Sequence, residues 1–88
     1  MIYTDNNIDQ TSIIRSFDSD LSQDSLLWHR DEEDRIISPI HETDWMIQFD
    51  NQLPIKISGE IHIQKGNWHR LIKGTNNLDL KIVKLSCI

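Results

Sequence analysis

Two histidines and an aspartate are the residues of this 88-residue chain whose types and spacing best suit chemistry. His29 and Asp31 are two residues apart, so on an extended strand both side chains point to one face and Arg30 to the other. His69 lies in a later strand-like segment that follows a glycine-containing turn. Two histidines and one carboxylate on separate strands match the facial triad of non-haem Fe(II) sites. The spacing alone also fits a surface histidine beside an acidic loop.

The elements that must position these residues are short strands. Apolar and polar residues alternate with period two along several segments, most clearly in Trp45–Phe49 and Leu53–Ile57, which form a hairpin around a polar turn. The predicted strands are Ser12–Phe17, Leu26–Arg30, Arg35–Ile40, Trp45–Phe49, Leu53–Ile57, Glu60–Gln64, Trp68–Ile72 and Leu78–Leu85. Seven or eight strands at intervals of 8–12 residues are typical of a β-sandwich or β-barrel.

Composition favours the same all-β class. Ile occurs 15 times and Ala never, and β-branched residues favour strands whereas Ala favours helices. This amino-acid composition also resembles that of proteins encoded by an AT-rich bacterial or phage genome. The length fits one domain, which we divide into a flexible polar N-terminus at 1–12 and an antiparallel barrel at 13–88. The predicted core comprises Leu27, Ile36, Ile47, Phe49, Ile55, Ile57, Ile61, Ile63, Leu71, Leu80 and Ile82.

Charge and cysteine usage exclude several classes of function. The net charge of −5 argues against general binding of nucleic acid, which requires a basic surface. Residues 1–50 carry 12 acids against 3 Lys and Arg, and residues 51–88 carry 2 against 6, so the two halves attract each other. The single cysteine, Cys87, forms no internal disulfide and has no partner that would mark it as a nucleophile. With no apolar run of 18 residues, we expect a cytoplasmic protein with no membrane contact, and its small size favours a homodimer.

The segment that contains His69 resembles the second conserved motif of the cupin family. In cupins a Gly opens a strand, an apolar pair follows, and a Pro-x-Gly turn leads to a metal-binding His. In the segment from Gly59 to His69, the turn Gly66 and the His are in place, and Gln64 stands at the position usual for Pro. The resemblance covers residues 25–85 and implies a minimal cupin barrel, a jelly-roll of antiparallel strands.

The segment Trp28–Arg35 resembles the first cupin motif, His-x-His followed after a short loop by Glu. His29 matches the first His, Asp31 replaces the second, and Arg35 stands where the Glu is expected. The resemblance implies a divalent metal, Fe, Mn, Ni or Zn, bound by His29, Asp31 and His69. It implies an oxygenase or isomerase of a small anionic substrate, or else a non-catalytic binding or assembly module such as a phage accessory protein. No residue is assigned a catalytic role.

Three further residues are candidates for contact with a ligand. Arg35 can bind a carboxylate, phosphate or sugar acid in a bidentate manner, with or without a metal. Trp45 opens a strand and can line a pocket, and Lys73 lies on the His69 side of its strand. The alternatives are a structural ion pair between Arg35 and Asp31, a core position for Trp45 and a solvated Lys73. The remaining histidines, at 41 and 62, are expected on the surface.

Overall fold

The computed structural model describes residues 2–85. These residues form eight β-strands and one short 3₁₀ turn at Gln23–Ser25. The strands are β1 (Tyr3–Asn7), β2 (Ser12–Phe17), β3 (Asp34–Pro39), β4 (Met46–Phe49), β5 (Ile55–Lys56), β6 (Ile61–Ile63), β7 (His69–Ile72) and β8 (Leu78–Leu85). The predicted all-β class is confirmed. Within the described residues, no helix is long and apolar enough to cross a membrane. The prediction for Cys87 lies outside them.

Two antiparallel sheets make up the fold. The larger has the strand order β1-β2-β8-β3-β6, and the smaller has the order β5-β4-β7. The long strand β8 is central because it pairs with β2 on one side and with β3 on the other. Their apolar faces form one core, in which the ring centroids of Phe17 from the larger sheet and Trp45 from the smaller lie 5.8 Å apart. This is the antiparallel two-sheet architecture expected of a jelly-roll.

Alternation along each strand decides which side chains face the core. Most of the predicted core is buried, including Ile47 and Ile57 at 0% and 1% exposure. The prediction is wrong for Leu27, which is 69% exposed, and for Ile55, which is 46% exposed. It is also wrong by one residue on β3, where Ile37 is buried and Ile36 is only partly buried.

Three differences concern the elements themselves. Leu26–Arg30 is not a strand, since only His29 makes a β-bridge there. Residues 1–12, expected to be a flexible segment, include β1, which pairs with β2 over five residues. The strand expected over Leu53–Ile57 is reduced to β5, because Pro54 has no N–H for a ladder and Leu53 is 85% exposed.

Two contacts hold the N-terminal strand β1 in place, and its polar sequence gives no indication of them. Tyr3 packs against the core with its ring 5.7 Å from that of Phe17. Two residues further along β1, Asp5 lies opposite Arg15 of β2. The guanidinium of Arg15 forms two hydrogen bonds, of 2.8 and 3.0 Å, with the carboxylate of Asp5. One aromatic anchor and one bidentate ion pair therefore dock a strand whose other residues are exposed.

Candidate metal centre

A single backbone bridge brings the two predicted histidines together. The N–H of His29 donates to the carbonyl of His69, and the N–H of His69 donates to the carbonyl of His29, each at 2.9 Å. Residues that exchange both hydrogen bonds lie directly opposite each other in an antiparallel pair, with side chains on the same face. The two imidazole ring centroids are accordingly 4.3 Å apart. No full strand is needed at His29 for this placement.

The residues that flank this bridge support it from the outer face. The guanidinium of Arg30 lies over the ring of Trp68, with 5.3 Å between Cζ and the centroid. The guanidinium of Arg70 lies over Trp28 at 4.9 Å. Each such pair contributes roughly 0.5–1 kcal/mol at an exposed site. The outward position expected for Arg70 is thus confirmed, and both tryptophans remain partly exposed.

Both imidazoles are held in the tautomer that a metal ligand needs. Nδ1 of His29 lies 3.0 Å from the carbonyl oxygen of Leu27, and Nδ1 of His69 lies 2.7 Å from that of Asn67. A carbonyl only accepts, so in the neutral rings each Nδ1 carries the hydrogen and each Nε2 carries a free lone pair. Carbonyl contacts of this kind orient metal-binding histidines.

The carboxylate of Asp31 lies against both Nε2 atoms. Its Oδ2 is 3.4 Å from Nε2 of His69, and its Oδ1 is 4.0 Å from Nε2 of His29. The side chain is only 7% exposed, and Oδ2 has no hydrogen-bond partner among residues 2–85. Burial acts most strongly on the pKa of Asp31 and raises it, but the close contact with His69 and the charge of Arg35 together hold the pKa below its ordinary value. The group is therefore an ionised, buried carboxylate.

These three side chains fit a divalent metal. One ligand atom from each of His29, Asp31 and His69 lies within 4.8 Å of the others. Atoms that bind one ion through bonds of about 2.0–2.2 Å are separated by roughly 3–4 Å, which matches both Asp31–histidine distances. A buried carboxylate oxygen without a hydrogen-bond partner, beside two nitrogen lone pairs, is a donor set that can accept a cation. The donor set and its electrostatics thus both suit a metal.

Arg35 stands beside this group but is held loosely. Its Nη1 is 3.4 Å from Oδ1 of Asp31, and its Nη2 is 3.5 Å from Oε2 of Glu33. Its Nε is buried and lacks a hydrogen-bond partner within the part of the chain that the structure describes. Charge-assisted N–H···O bonds usually span about 2.7–2.9 Å. Arg35 therefore has donor capacity left for a ligand.

A cavity of about 370 Å³ opens in front of the three side chains, between the two sheets. Its lining includes His29, Asp31, His69 and Arg35, together with apolar side chains from both sheets. Arg15 also lines it, and sequence analysis missed this residue. The signal was present: Arg15 is two residues from Ile13 and from Phe17 on β2, so all three share the inward face.

The structure does not bring the other two predicted ligand contacts into this cavity. Trp45 is fully buried, and its Nε1 donates to the carbonyl of Asn76 at 2.6 Å. Lys73 donates from Nζ to the carbonyl of Leu21 at 2.6 Å. Neither lines the cavity formed by residues 2–85. His41 and His62 are both exposed, as expected.

Comparison with known proteins gives matches in structure but not in sequence. No protein-family model matches the chain, and no curated protein is significantly similar to it. The Co(II) form of HppE superposes with a TM-score of 0.71 at 14% identity, over 94% of this chain and 53% of that one. A putative mannose-6-phosphate isomerase from Ralstonia eutropha JMP134 has a TM-score of 0.65 at 12% identity, over 98% and 84%.

A cupin domain from Bordetella pertussis Tohama I has a TM-score of 0.62 at 11% identity, over 98% of this chain and 93% of that one. The present chain spans about half the length of the HppE chain but nearly the whole of the cupin domain. Identities this low establish architecture alone. With its two antiparallel sheets and these structural neighbours, the chain has a small cupin fold.

Proposed function

We propose that this protein is a metal-binding cupin whose cavity takes a small anionic ligand. His29, Asp31 and His69 would hold a divalent ion, Fe, Mn, Ni or Zn, and Arg35 would contact the anion. The observation that carries the proposal is the convergence of two Nε2 atoms on a buried carboxylate whose Oδ2 has no hydrogen-bond partner among residues 2–85. One structural neighbour is a Co(II) form, which supports metal binding by a protein of this fold.

The site suits catalysis on a small molecule. Three protein ligands leave coordination positions open, and a bound metal supplies Lewis acidity or oxygen activation there. The cavity volume is at the lower end of the range for small-molecule sites. In this proposal, Arg35 orients the anionic group of the ligand, and the apolar side chains of both sheets shield that group from water. We propose oxygenase or isomerase chemistry as the reaction class.

A non-catalytic binding or assembly module is the second candidate. Arg35 favours this candidate, because it stands where the cupin resemblance places a glutamate ligand. A cation at that position weakens metal binding. A phage-type accessory protein, a homodimer and a cytoplasmic location belong to this candidate as well. Turnover of small carboxylates by the metal-loaded protein would favour the enzyme, and binding without turnover would favour the module.

The first experiment measures metal content per chain in the purified, untagged protein by mass spectrometry. We expect about one Fe, Mn, Ni or Zn per chain, and loss of this metal in both His29→Ala and Asp31→Ala. His62→Ala is the matched control, because His62 is exposed on β6 and is not one of the three grouped residues. Unchanged metal content in a folded His29→Ala protein, or no metal even after reconstitution, would overturn the proposal.

A further inference from the structure

The position of Arg35 implies more than contact with an anion. We propose that the metal and a small monoanionic carboxylate bind to this cavity cooperatively, and that Arg35 transmits the coupling. The inference rests on the proposed metal centre and adds the class of ligand and its coupling to the metal. It follows from the partners of Arg35, the charges around the cavity and the unused donors of its guanidinium.

The guanidinium of Arg35 lies between two acids. It lies between Asp31 at 3.4 Å and Glu33 at 3.5 Å, and its side chain is only 14% exposed. An incoming anion would enter a site whose positive charge is already balanced by these two carboxylates. Binding of an anion to the metal-free protein is therefore weak.

A metal changes this balance through Asp31. The carboxylate of Asp31 faces both Arg35 and the two Nε2 atoms. A divalent ion bound between this carboxylate and the histidines therefore neutralises the negative charge that Asp31 presents to Arg35. Arg35 then retains only Glu33 and stands close to a second cation. Both effects favour an anion placed between the metal and Arg35.

Among the residues that line the cavity and their ion-pair partners, the charges match one negative charge on the ligand. Asp31, Arg35 and Arg15 line the cavity, and Glu33 and Asp5 pair with the two arginines. These three acids and two arginines carry a net charge of −1, which a divalent metal changes to +1. A monoanion restores neutrality, whereas a dianion such as phosphate at higher pH leaves a negative excess.

The geometry of the free donors selects a carboxylate. Nε of Arg35 is buried and has no partner among residues 2–85, and the contacts of both Nη atoms are long. A guanidinium presents its N–H groups as a planar fork that fits the two oxygens of a carboxylate. Arg15 is less available, because Asp5 already holds it at 2.8 and 3.0 Å.

The test is a calorimetric titration of the full chain with Mn²⁺, in chloride and in saturating acetate at equal ionic strength. We expect acetate to tighten Mn²⁺ binding about tenfold, within the usual range of coupling between two sites. Reciprocity requires Mn²⁺ to tighten acetate binding by the same factor. In Arg35→Gln we expect tighter Mn²⁺ binding in chloride, since a neighbouring cation is removed, and no acetate effect.

Lys81→Gln is the matched control. Lys81 is exposed on β8 and does not line the cavity, so this variant should keep the wild-type acetate effect. If one Mn²⁺ binds per chain with the same affinity in acetate and chloride, the coupling is overturned and the metal centre stands. An acetate effect that persists in Arg35→Gln overturns the role of Arg35. Absence of Mn²⁺ binding in every buffer overturns the coupling, while the metal analysis of the purified protein decides the metal centre independently.

Discussion

At the scale of single residues, the two histidines share one local arrangement. In each, Nδ1 contacts the carbonyl oxygen of the residue two positions earlier, Leu27 in one case and Asn67 in the other. Because these contacts are local, the orientation of each ring depends mainly on its own segment. The pairing of the two segments then needs only to bring the free Nε2 atoms to the same carboxylate, that of Asp31.

His69→Ala tests whether this residue serves the site or the core. His69 is 3% exposed, yet it borders an existing cavity, so its removal enlarges a space that is already present. We expect loss of the metal and a decrease of about 1–2 kcal/mol in the free energy of unfolding, a typical cost for a single substitution. Metal analysis and urea denaturation measure the two quantities.

A volume-conserving variant keeps this test decisive. His69→Gln retains a polar group of similar size and should fold like the wild type while binding the metal weakly. If His69→Ala fails to fold but His69→Gln folds and keeps its full metal content, His69 is a structural residue and the proposed ligand set is wrong.

At the scale of elements, the site depends on turns as much as on strands. Asp31 lies in a loop, and its backbone carbonyl accepts a 3.0 Å hydrogen bond from the N–H of Gly66 in the turn before β7. Gly66 has a φ of +79°, which residues with a side chain rarely adopt. The turn that leads to one histidine therefore also positions the aspartate.

Gly66→Ala should weaken metal binding and destabilise the fold. A Cβ at this position meets no atom within 4 Å. The free energy of unfolding should therefore fall only by the cost of the left-handed backbone, about 1 kcal/mol. Gly59→Ala is the matched control, because Gly59 has a φ of +62° and equally open surroundings but lies in the turn before β6. We expect similar losses of stability in both and weaker metal binding only in Gly66→Ala. Equal metal affinities in the two variants would contradict this role of the turn.

At the scale of the whole molecule, acid sensitivity follows from its aspartates. The pKa of Asp5 is lowered from 3.8, chiefly by its hydrogen bond with Arg15, and the pKa of Asp44 is lowered by hydrogen bonds from Thr75. A carboxyl whose pKa is lower in the folded state contributes stability that is fully present above the unfolded value. That contribution is lost as pH falls from about 3.8 through the folded pKa.

Asp5→Asn isolates one of these contributions. We expect the variant to be less stable than the wild type at pH 7 by up to about 1 kcal/mol, the usual range for a pair near the surface. The difference should shrink as pH falls below 3.8, because the wild-type carboxyl then becomes protonated. Urea denaturation from pH 7 to pH 2.5 measures it, and a difference that stays constant over this range would exclude the ionised pair as its source.

The sequence by itself determined the fold class and much of the strand pattern. The strands predicted at Ser12–Phe17 and Leu78–Leu85 are β2 and β8 at their observed bounds. The cupin resemblance grouped His29, Asp31 and His69, which lie together in the structure. These inferences succeed because alternation and turn residues are local properties, and because the two motifs each carry their residues at short spacing.

Only the tertiary structure decided the rest. Alternation did not reveal that Ile37 rather than Ile36 faces the core, because these adjacent residues are both apolar and only the pairing of β3 with β6 and β8 decides which one points inward. It did not identify β1, whose stability comes from contacts with β2 and the core rather than from its own polar residues. Nor did it reveal that Trp45 and Lys73 donate to the carbonyls of Asn76 and Leu21, because pairing of this kind depends on residues distant in the chain.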